Sequence, residues 1–447
     1  MANDKLKVGI ISLGCDKNRV DTELMLTFLR DAGYEFTANP AESDIIIINT
    51  CGFISSARKE SMETIVEMSE YKKSGSCKRL VVTGCMPQLW LKEMREELPD
   101  VDIFLGIDKY HQIVQILENS LNPKAKRLIK AGSSDTVPYV QDRVVTTPEH
   151  YAYLKIADGC DNYCTFCTIP YIRGKYRSRH MEILCHEAED LVRGGAREII
   201  LIAQDITRYG TDIYGKPALI ELIRELSKID DLEWIRLLYC YPEEITHELI
   251  KEMIVNPKLC KYVDIPLQHV SDSILKRMNR HTNKQEIVKL IEEMKSQKEF
   301  IAIRTTFMVG FPGETEEEFK ELYDFIAKYK LTHVGFFAYS KEKGTPSAKM
   351  PNQVSEKLKQ KRLIKLIKLQ KKIVAENNKQ FVGKTLDVCV EGIDYDKAMF
   401  FGRSEYQAPE IDTIVYFKSK TDLKIGSVYK IKITRVKGYD LVGEIIK

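Results

Sequence analysis

Hydrophobic positions in the first 120 residues alternate between short β-rich runs and amphipathic helical stretches. The runs KVGIISLG, DIIIINT and RLVVTG are apolar enough for buried strands, and residues 20–29 carry apolar side chains at helical spacing. Strands that alternate with helices pair in parallel, because each helix carries the chain back along the sheet. The pattern therefore predicts an open parallel α/β sheet domain over residues 1–121.

A second α/β pattern follows a polar connector. Residues 122–149 carry Pro123, Gly132, Pro138 and Pro148 among polar residues, which predicts a linker. Beyond the linker, helical or mixed segments separate six strand candidates: YAYLKIA, EIILIAQ, WIRLLYC, YVDIPLQ, IAIRTTFMVG and HVGFFAYS. Six such units predict a partial (β/α)6 barrel, similar to a TIM barrel but short of its eight units.

The last hundred residues change pattern twice. A lysine-rich helix is predicted over residues 353–381, with one apolar face made of Leu363, Ile364, Ile367, Ile373 and Val374. After it, the runs TLDVCVEG, TIVYF and SVYKIKITRV alternate with turns, which predicts a small antiparallel β-barrel. We assign the helix to the central domain, residues 150–380, and the barrel to residues 381–447.

Composition places the chain among globular proteins of roughly three domains. Its 447 residues are 44% hydrophobic and 30% charged, which excludes wholesale disorder, and 68 Lys and Arg against 65 Asp and Glu leave a net charge of only +3. Aliphatic runs such as Ile45–Ile48 are far shorter than the ~20 residues of a membrane helix. The start MANDKLK lacks the apolar segment of a secretory signal. We therefore expect a cytoplasmic protein with no membrane partner.

Three of the eleven cysteines form a tight CxxxCxxC motif just after the strand YAYLKIA. Because the cytosol is reducing, disulfides are not the expected use of Cys160, Cys164 and Cys167. Thiolates suit iron–sulfur clusters or zinc, but three cannot complete a four-cysteine site, and His180 is the nearest other ligand. A cubane held by three cysteines leaves one iron open to a small molecule. The spacing therefore indicates a catalytic cluster, with structural zinc as the alternative.

Three further cysteines, Cys15, Cys51 and Cys85, each follow one of the predicted N-terminal strands. The carboxyl ends of parallel strands meet at one edge of an open sheet, where ligands bind. A second three-cysteine cluster is therefore predicted, the alternative being the chance placement of three buried cysteines. The remaining cysteines share no pattern and are interpreted as ordinary side chains: Cys77, Cys185, Cys240, Cys260 and Cys389.

The CxxxCxxC loop after the first strand of a partial barrel resembles the radical S-adenosylmethionine (SAM) enzymes. That resemblance implies that the open iron chelates SAM and that an electron from the cluster cleaves it to a 5′-deoxyadenosyl radical. The two three-cysteine sites, the domain order and a barrel that looks like a TRAM domain resemble the methylthiotransferases over nearly the whole chain. Membership implies two [4Fe–4S] clusters, the second one presenting sulfur, and SAM as both methyl donor and radical source.

Five motifs resemble the ribosomal-protein branch of that family: SLGCDKNRVDTE, NTCGFISSARKES, CTFCTIPYIRGKYRSR, LIAQDITRYG and DIPLQH. This branch converts an aspartate of small-subunit ribosomal protein number twelve to 3-methylthioaspartate. Asp16 departs from the proline that usually follows the first cysteine, whereas Lys17 and Asn18 are kept. Two alternatives stay open, a tRNA adenosine 2-methylthiotransferase and a non-catalytic metal-cluster scaffold.

The expected partners are that ribosomal protein, free or on the ribosome, an electron donor such as flavodoxin or ferredoxin, and a sulfur donor. Residues 382–447 carry eleven Lys and Arg and ten Asp and Glu, a net charge of +1. A domain that grips tRNA phosphates is distinctly basic, so we expect no tight tRNA binding.

Four other residues are predicted to contact the cofactor. Phe166 lies between two of the motif cysteines, while Gln204, Gln268 and Arg304 lie at or near predicted strand ends. Their structural alternatives are ordinary packing for Phe166 and loop polar groups for the other three.

Two further segments have a functional and a structural interpretation. The turn GFPGET (310–315) resembles a family turn near the cofactor, although glycine and proline build any turn. Three arginines after the cysteine motif either bind an acidic group or lie in a solvated loop: Arg173, Arg177 and Arg179.

Overall fold

The computed structural model of the protein describes residues 6–122, 127–130 and 142–446. Along the chain it forms a parallel α/β sheet, a second parallel sheet flanked by helices, and a small closed barrel. These are the three architectures that the hydrophobic pattern predicts, so the predicted fold class is confirmed.

The N-terminal sheet has six parallel strands in the order β2-β1-β3-β4-β5-β6. Its central strand β3 is buried along its whole length, which explains the run of four isoleucines. The strands are β1 (Lys7–Ser12), β2 (Glu35–Phe36), β3 (Ile45–Thr50), β4 (Arg79–Gly84), β5 (Ile103–Leu105) and β6 (Leu128–Lys130). The helices are α1 (Asp16–Asp31), α2 (Ser55–Ser69), α3 (Tyr71–Ser74), α4 (Cys85–Glu97) and α5 (Ile113–Ser120).

Strand β6 forms the edge of this sheet and lies within the segment expected as a linker. Residues 123–126 and 131–141 of that segment lie outside the described residues. The predicted domain bounds therefore stay predictions.

The central sheet also has six parallel strands, in the order β14-β13-β12-β11-β10-β7. They are β7 (Tyr151–Lys155), β10 (Glu198–Ile202), β11 (Trp234–Leu237), β12 (Leu259–Asp264), β13 (Ala302–Val309) and β14 (His333–Ala338), and a short ribbon adds β8 (Ala157–Asp158) and β9 (Arg177–Ser178). The helices are α6 (Ile169–Arg173), α7 (Met181–Arg193), α8 (Thr211–Tyr214), α9 (Leu219–Leu226), α10 (His247–Val255), α11 (Asp272–Arg277), α12 (Lys284–Lys295) and α13 (Glu316–Tyr329).

The two faces of the central sheet are covered differently. One face packs against its own helices in a core that includes Leu154, Leu201 and Phe307. On the other face, Tyr153 and Ile200 share a core with residues of helices α1 and α5, such as Met25 and Ile113. The N-terminal domain thus closes the open side of the partial barrel.

The trailing helix α14 (Glu356–Asn377) buries only part of the predicted apolar face. Ile364 and Ile367 are 51% and 45% exposed, whereas Lys359 and Arg362 are buried. Lys359 donates to the carbonyl of Tyr339, and Arg362 forms an ion pair with buried Glu314, so these two cations lie on the inner face. The predicted apolar face is therefore confirmed at Ile373 and Val374, which are buried, and at Leu363, which packs against the core, but it is wrong at Ile364 and Ile367. No helix of the described residues is long and apolar enough to cross a bilayer.

The C-terminal barrel closes in the order β15-β16-β17-β19-β18. Its strands are β15 (Thr385–Asp394), β16 (Met399–Arg403), β17 (Val415–Lys418), β18 (Val428–Lys437) and β19 (Asp440–Ile445). Four neighbouring pairs are antiparallel, but β17 and β19 are parallel. The hairpin β18-β19 lies between β15 and β17, so its second strand runs in the direction of β17. The prediction of an antiparallel barrel misses this one pair.

Buried ion pairs attach the barrel to the central sheet. The carboxylate of Glu198 on β10 accepts from Arg236 Nε at 2.5 Å and from Arg403 Nη2 of the barrel at 2.6 Å. Burial by itself raises the pKa of Glu198, but the two guanidiniums outweigh it and lower the pKa from 4.5 to about 2. Glu198 is therefore ionised and holds two cations from different domains.

We expect Glu198→Gln to cost about 3–5 kcal/mol of unfolding free energy, because it removes the carboxylate that pairs with the buried guanidinium of Arg236 and one of the two that pair with Arg403. The stability that Glu198 contributes is present above pH 4.5 and is lost as the pH falls towards 2. Thermal unfolding and limited proteolysis should show a lower Tm and earlier release of the barrel. Asp387→Asn, which removes an exposed pair with Lys430, is the control and should change stability by less than about 0.5 kcal/mol. Equal Tm values for the two variants would contradict this expectation.

Candidate functional site

The loop that carries Cys160, Cys164 and Cys167 lies between β8 and α6, at the carboxyl end of the central sheet. Its backbone is anchored at both ends, since the Cys160 amide donates to the carbonyl of Gly174 at 3.1 Å and the Cys167 amide donates to that of Cys164 at 2.9 Å. Gly159, with φ of +81°, approaches the backbone of Lys175 so closely that no Cβ fits there. The three thiols are therefore held on one short, fixed loop.

The three thiols interact electrostatically. Burial raises the pKa of Cys160 to about 11, and the neighbouring Cys164 raises it further. Burial also raises the pKa of Cys167, with added contributions from Cys164 and Cys160. A cationic iron cluster would offset this cost, because its ligands bind as thiolates. The donor set and its mutual proximity fit such a cluster.

Two side chains that the sequence patterns did not single out surround Cys164. The guanidinium of Arg280 stacks over the ring of Tyr241, with 4.2 Å from its Cζ atom to the ring centroid, and its Nη1 lies 3.8 Å from Cys164 Sγ. The Tyr241 hydroxyl is 4.0 Å from the same sulfur. A buried cation beside a thiolate ligand favours the charged form of that ligand.

The other three cysteines lie at the carboxyl ends of three neighbouring strands, as predicted. Cys15 is the N-cap of α1 after β1, Cys51 follows β3, and Cys85 begins α4 after β4. Two glycines allow the close approach. A Cβ at Gly14 would lie 2.8 Å from Cys51 Cβ, and a Cβ at Gly52 would lie 3.1 Å from the backbone of Cys85. The structure therefore brings these cysteines together at one edge of the sheet.

Asn18 connects the three strand ends. Its amide nitrogen donates to the carbonyls of Leu13 and Thr50, both at 3.0 Å, and its carbonyl oxygen lies 3.5 Å from Cys85 Sγ. The side chain is fully buried, so these bonds replace all contact with water. Asn18 is part of the motif SLGCDKNRVDTE, but its role in holding the three strand ends together is visible only in the fold.

No three His, Cys, Asp or Glu side chains lie close enough to share one metal ion in the stretches 6–122, 127–130 and 142–446. In a cubane each cysteine binds a different iron, so the thiols stand further apart than the ligands of a single ion.

The two cysteine sites adjoin through the segment after Cys167. Arg173 contacts Cys85 Sγ at 3.8 Å, and the next residue, Gly174, accepts the hydrogen bond from Cys160. Arg173 and Arg179 are buried in ion pairs with acidic side chains, which contradicts a solvated loop. Arg177 instead donates to the backbone carbonyls of Lys175 and Arg173.

Gln204 and Gln268 each have a buried side-chain oxygen with no hydrogen-bond partner among the described residues. Gln204 donates from its amide nitrogen to Asp158, and Gln268 adopts a left-handed backbone with φ of +69°. A buried acceptor of this kind can accept a hydrogen bond from a bound molecule or from an ordered water. The two glutamines thus fit a cofactor that carries amino or hydroxyl groups.

Phe166, Arg304 and His180 have protein partners instead. The Phe166 ring packs edge-to-face on Phe311, with 6.4 Å between centroids. Arg304 lies near the start of β13, not at its end, and its Nη1 donates to Asp264 at 2.7 Å. His180 is exposed and its ring packs against Tyr214. Cofactor contacts of Phe166 and Arg304 stay predictions.

A network of buried polar side chains supports the turn GFPGET (310–315). Glu314 lies 3.3 Å from the ring of His269, next to Gln268, and accepts from Arg362 Nη1 of helix α14 at 2.7 Å.

Asp205 has a comparable role in the cysteine loop, where it accepts a hydrogen bond from Asn162 at 3.2 Å. Burial raises the pKa of Asp205 to about 6. Both carboxylates position backbone around the site.

Family models match the three domains. Residues 7–106 match the uncharacterized protein family UPF0004, residues 154–326 match the radical SAM superfamily, and residues 382–446 match the TRAM domain. Among solved structures, the radical SAM methyltransferase TsrM from Kitasatospora setae is similar, with a TM-score of 0.55 and 14% identity over 74% of this chain and 73% of that one. This likeness shows the fold. Fold and domain models together define a radical SAM enzyme.

Curated relatives cover nearly the whole chain. The ribosomal protein uS12 methylthiotransferase RimO of Clostridium kluyveri is 51% identical over 98% of both chains. Those of Clostridium tetani and Desulforamulus reducens are 49% and 47% identical, over 98% of this chain and 98% and 99% of theirs. The chain belongs to the RimO family of radical SAM methylthiotransferases.

Proposed function

We propose that the protein transfers a methylthio group to an aspartate of ribosomal protein uS12 and so forms 3-methylthioaspartate. The observation that carries the proposal is the contact of the two three-cysteine sites through Arg173 and Gly174. A reaction that forms a C–S bond at an unactivated carbon needs a radical source and a sulfur source beside each other. The relatives at 47–51% identity carry this activity in their names.

Cys160, Cys164 and Cys167 would hold the [4Fe–4S] cluster of the radical SAM domain, and Cys15, Cys51 and Cys85 a second one. When bound, the clusters and SAM supply the radical, the sulfur and the methyl group. The protein binds and orients them. Gln204 and Gln268 offer buried acceptor oxygens to SAM, and Asn18 keeps the second set of cysteines together.

An electron donor such as flavodoxin or ferredoxin and a separate sulfur donor belong to this proposal. Of the six cysteines in question, Cys15 is the exposed one, which makes the N-terminal site accessible to a sulfur donor. A ribosomal-protein substrate places the enzyme in the cytoplasm.

The charge of the terminal barrel favours a protein substrate over tRNA. The barrel carries a net charge of +1, and several of its cations are already paired, Arg403 with Glu198, Lys430 with Asp387, and Lys397 with Asp394. Each phosphate that a nucleic-acid binder neutralises adds about −0.7 to −0.9 to the slope of log affinity against log salt. We expect weak binding to free tRNA with a shallow slope.

An anaerobic reaction with SAM and a reductant, containing both uS12 and tRNA, tests the proposal. Mass spectrometry should find the methylthio group on a uS12 aspartate and leave the tRNA unmodified, and Cys164→Ala should yield neither product. Methylthiolated adenosine together with tight, steeply salt-dependent tRNA binding would overturn the choice of substrate. A protein that lacks iron and labile sulfide would overturn the chemistry.

A further inference from the structure

Arg173 comes from the central domain but its guanidinium lies inside the N-terminal cysteine site. Its side chain is 4% exposed. Nη2 donates to Asn18 at 2.7 Å and to Asp21 at 2.9 Å, and lies 3.8 Å from Cys85 Sγ. The central domain therefore supplies a buried cation, Arg173, to the cysteine site of the N-terminal domain.

The other side of the guanidinium faces the central domain. Nη1 donates to both oxygens of Asp158, at 3.0 and 3.2 Å. Asp158 also accepts from the amide of Gly159, which precedes Cys160, and from Gln204. One half of the Arg173 fork thus lies in the N-terminal cysteine site, and the other half pairs with the residue two positions before Cys160.

The charge of Arg173 acts on the cysteines themselves. Its Nη2 brings a positive charge to within 3.8 Å of Cys85 Sγ, and the neighbouring carboxylate of Asp21 is itself paired with the same atom at 2.9 Å. The same cation is also close enough to Cys51 to interact with it electrostatically. A guanidinium is always charged and weakly hydrated, which suits a permanent counter-ion in a buried anionic site.

We propose that Arg173 is a positioning residue of the N-terminal cluster, which donates an N–H···S hydrogen bond to the Cys85 thiolate and stabilises the cluster in its reduced, more negative state. This inference rests on the proposed second cluster. Removing the cation leaves the reduced state without its counter-charge, so the reduction potential of that cluster should become more negative. The domain interface then controls the redox properties of the sulfur-bearing site.

The test measures this cluster alone, in a full-length protein that carries Cys160→Ala, Cys164→Ala and Cys167→Ala. Arg173→Gln in this background should shift the reduction potential to more negative values and alter the electron paramagnetic resonance spectrum of the reduced cluster. Arg173→Lys keeps the charge and should restore most of the potential. Arg179→Gln is the matched control, since Arg179 is a buried arginine of the same segment whose guanidinium pairs with Glu187 and donates to the carbonyl of Lys155; it should leave the potential unchanged.

Folding is controlled separately, because Arg173→Gln also removes one of the two buried cations that pair with Asp158 and leaves only Lys155, 3.3 Å away. Asp158→Asn alone keeps the cation at Cys85 and should not make the potential more negative, whereas Arg173→Gln with Asp158→Asn should show the negative shift. Equal potentials for the Arg173→Gln and Arg179→Gln proteins, or for the double variant and Asp158→Asn alone, would overturn the role of Arg173. A background protein that binds no iron would instead overturn the second cluster itself.

Discussion

Cys164→Ala is expected to stop the formation of 5′-deoxyadenosine from SAM, leaving only the background of a reaction without enzyme. The variant removes one of three thiols on a loop whose backbone bonds hold the other two in place. It also leaves the buried cation of Arg280 without the sulfur that lies 3.8 Å from it. A cluster with only two protein ligands cannot keep one iron open for SAM while the other three are held.

The measurement is anaerobic turnover with SAM and dithionite, followed by chromatography of the nucleoside product. Cys185→Ala is the matched control, because Cys185 lies partly buried on helix α7 of the same domain, outside the loop. Circular dichroism and limited proteolysis should show that the N-terminal domain stays folded in both proteins. An undiminished rate in the Cys164→Ala protein would show that the assignment is wrong.

Cys51→Ala is expected to remove about half of the bound iron, abolish methylthio product and leave some cleavage of SAM. Half is expected because two clusters of equal iron content are proposed and only one loses a ligand. The radical SAM loop lies in the other domain and keeps its own three cysteines. The variant therefore separates sulfur supply from radical formation.

Iron and labile sulfide analysis, nucleoside chromatography and mass spectrometry of uS12 on one preparation test all three parts. Cys77→Ala is the control, since Cys77 is buried in the same domain but precedes β4, away from the edge where the other cysteines meet. Unchanged iron content in the Cys51→Ala protein would show that Cys15, Cys51 and Cys85 are ordinary side chains and do not bind a cluster. A loss of all cleavage would show that the two sites are not independent.

Local sequence patterns were enough to predict the helices and strands and to show the resemblance to the methylthiotransferase family. The buried run Ile45–Ile48 and the alternation of strands and helices depend on neighbours in the chain, and both predict their elements correctly. The CxxxCxxC spacing is equally local, and the cluster that it predicts stays a prediction. The convergence of three cysteines 36 and 34 residues apart also followed from sequence, because parallel strands end at a common edge.

Tertiary structure decided which polar groups lie inside. Arg173, Arg179 and Arg362 have the residue type of a solvated surface, yet each is buried because a carboxylate from another segment pairs with it. The same effect moved the buried face of α14 away from Ile364 and Ile367. A charge partner far along the chain leaves no trace in local hydrophobicity.

Strand periodicity and cysteine spacing are properties of short segments, so they were enough to predict a three-domain α/β protein with two sets of three cysteines. The folded structure was needed to show that the sets adjoin, that Asn18 holds one of them, and that Arg173 of one domain enters the site of the other. It also decided the parallel pairing of β17 with β19. These features join residues from separate segments, and their energies come from burial and charge pairing that exist only after the domains have docked.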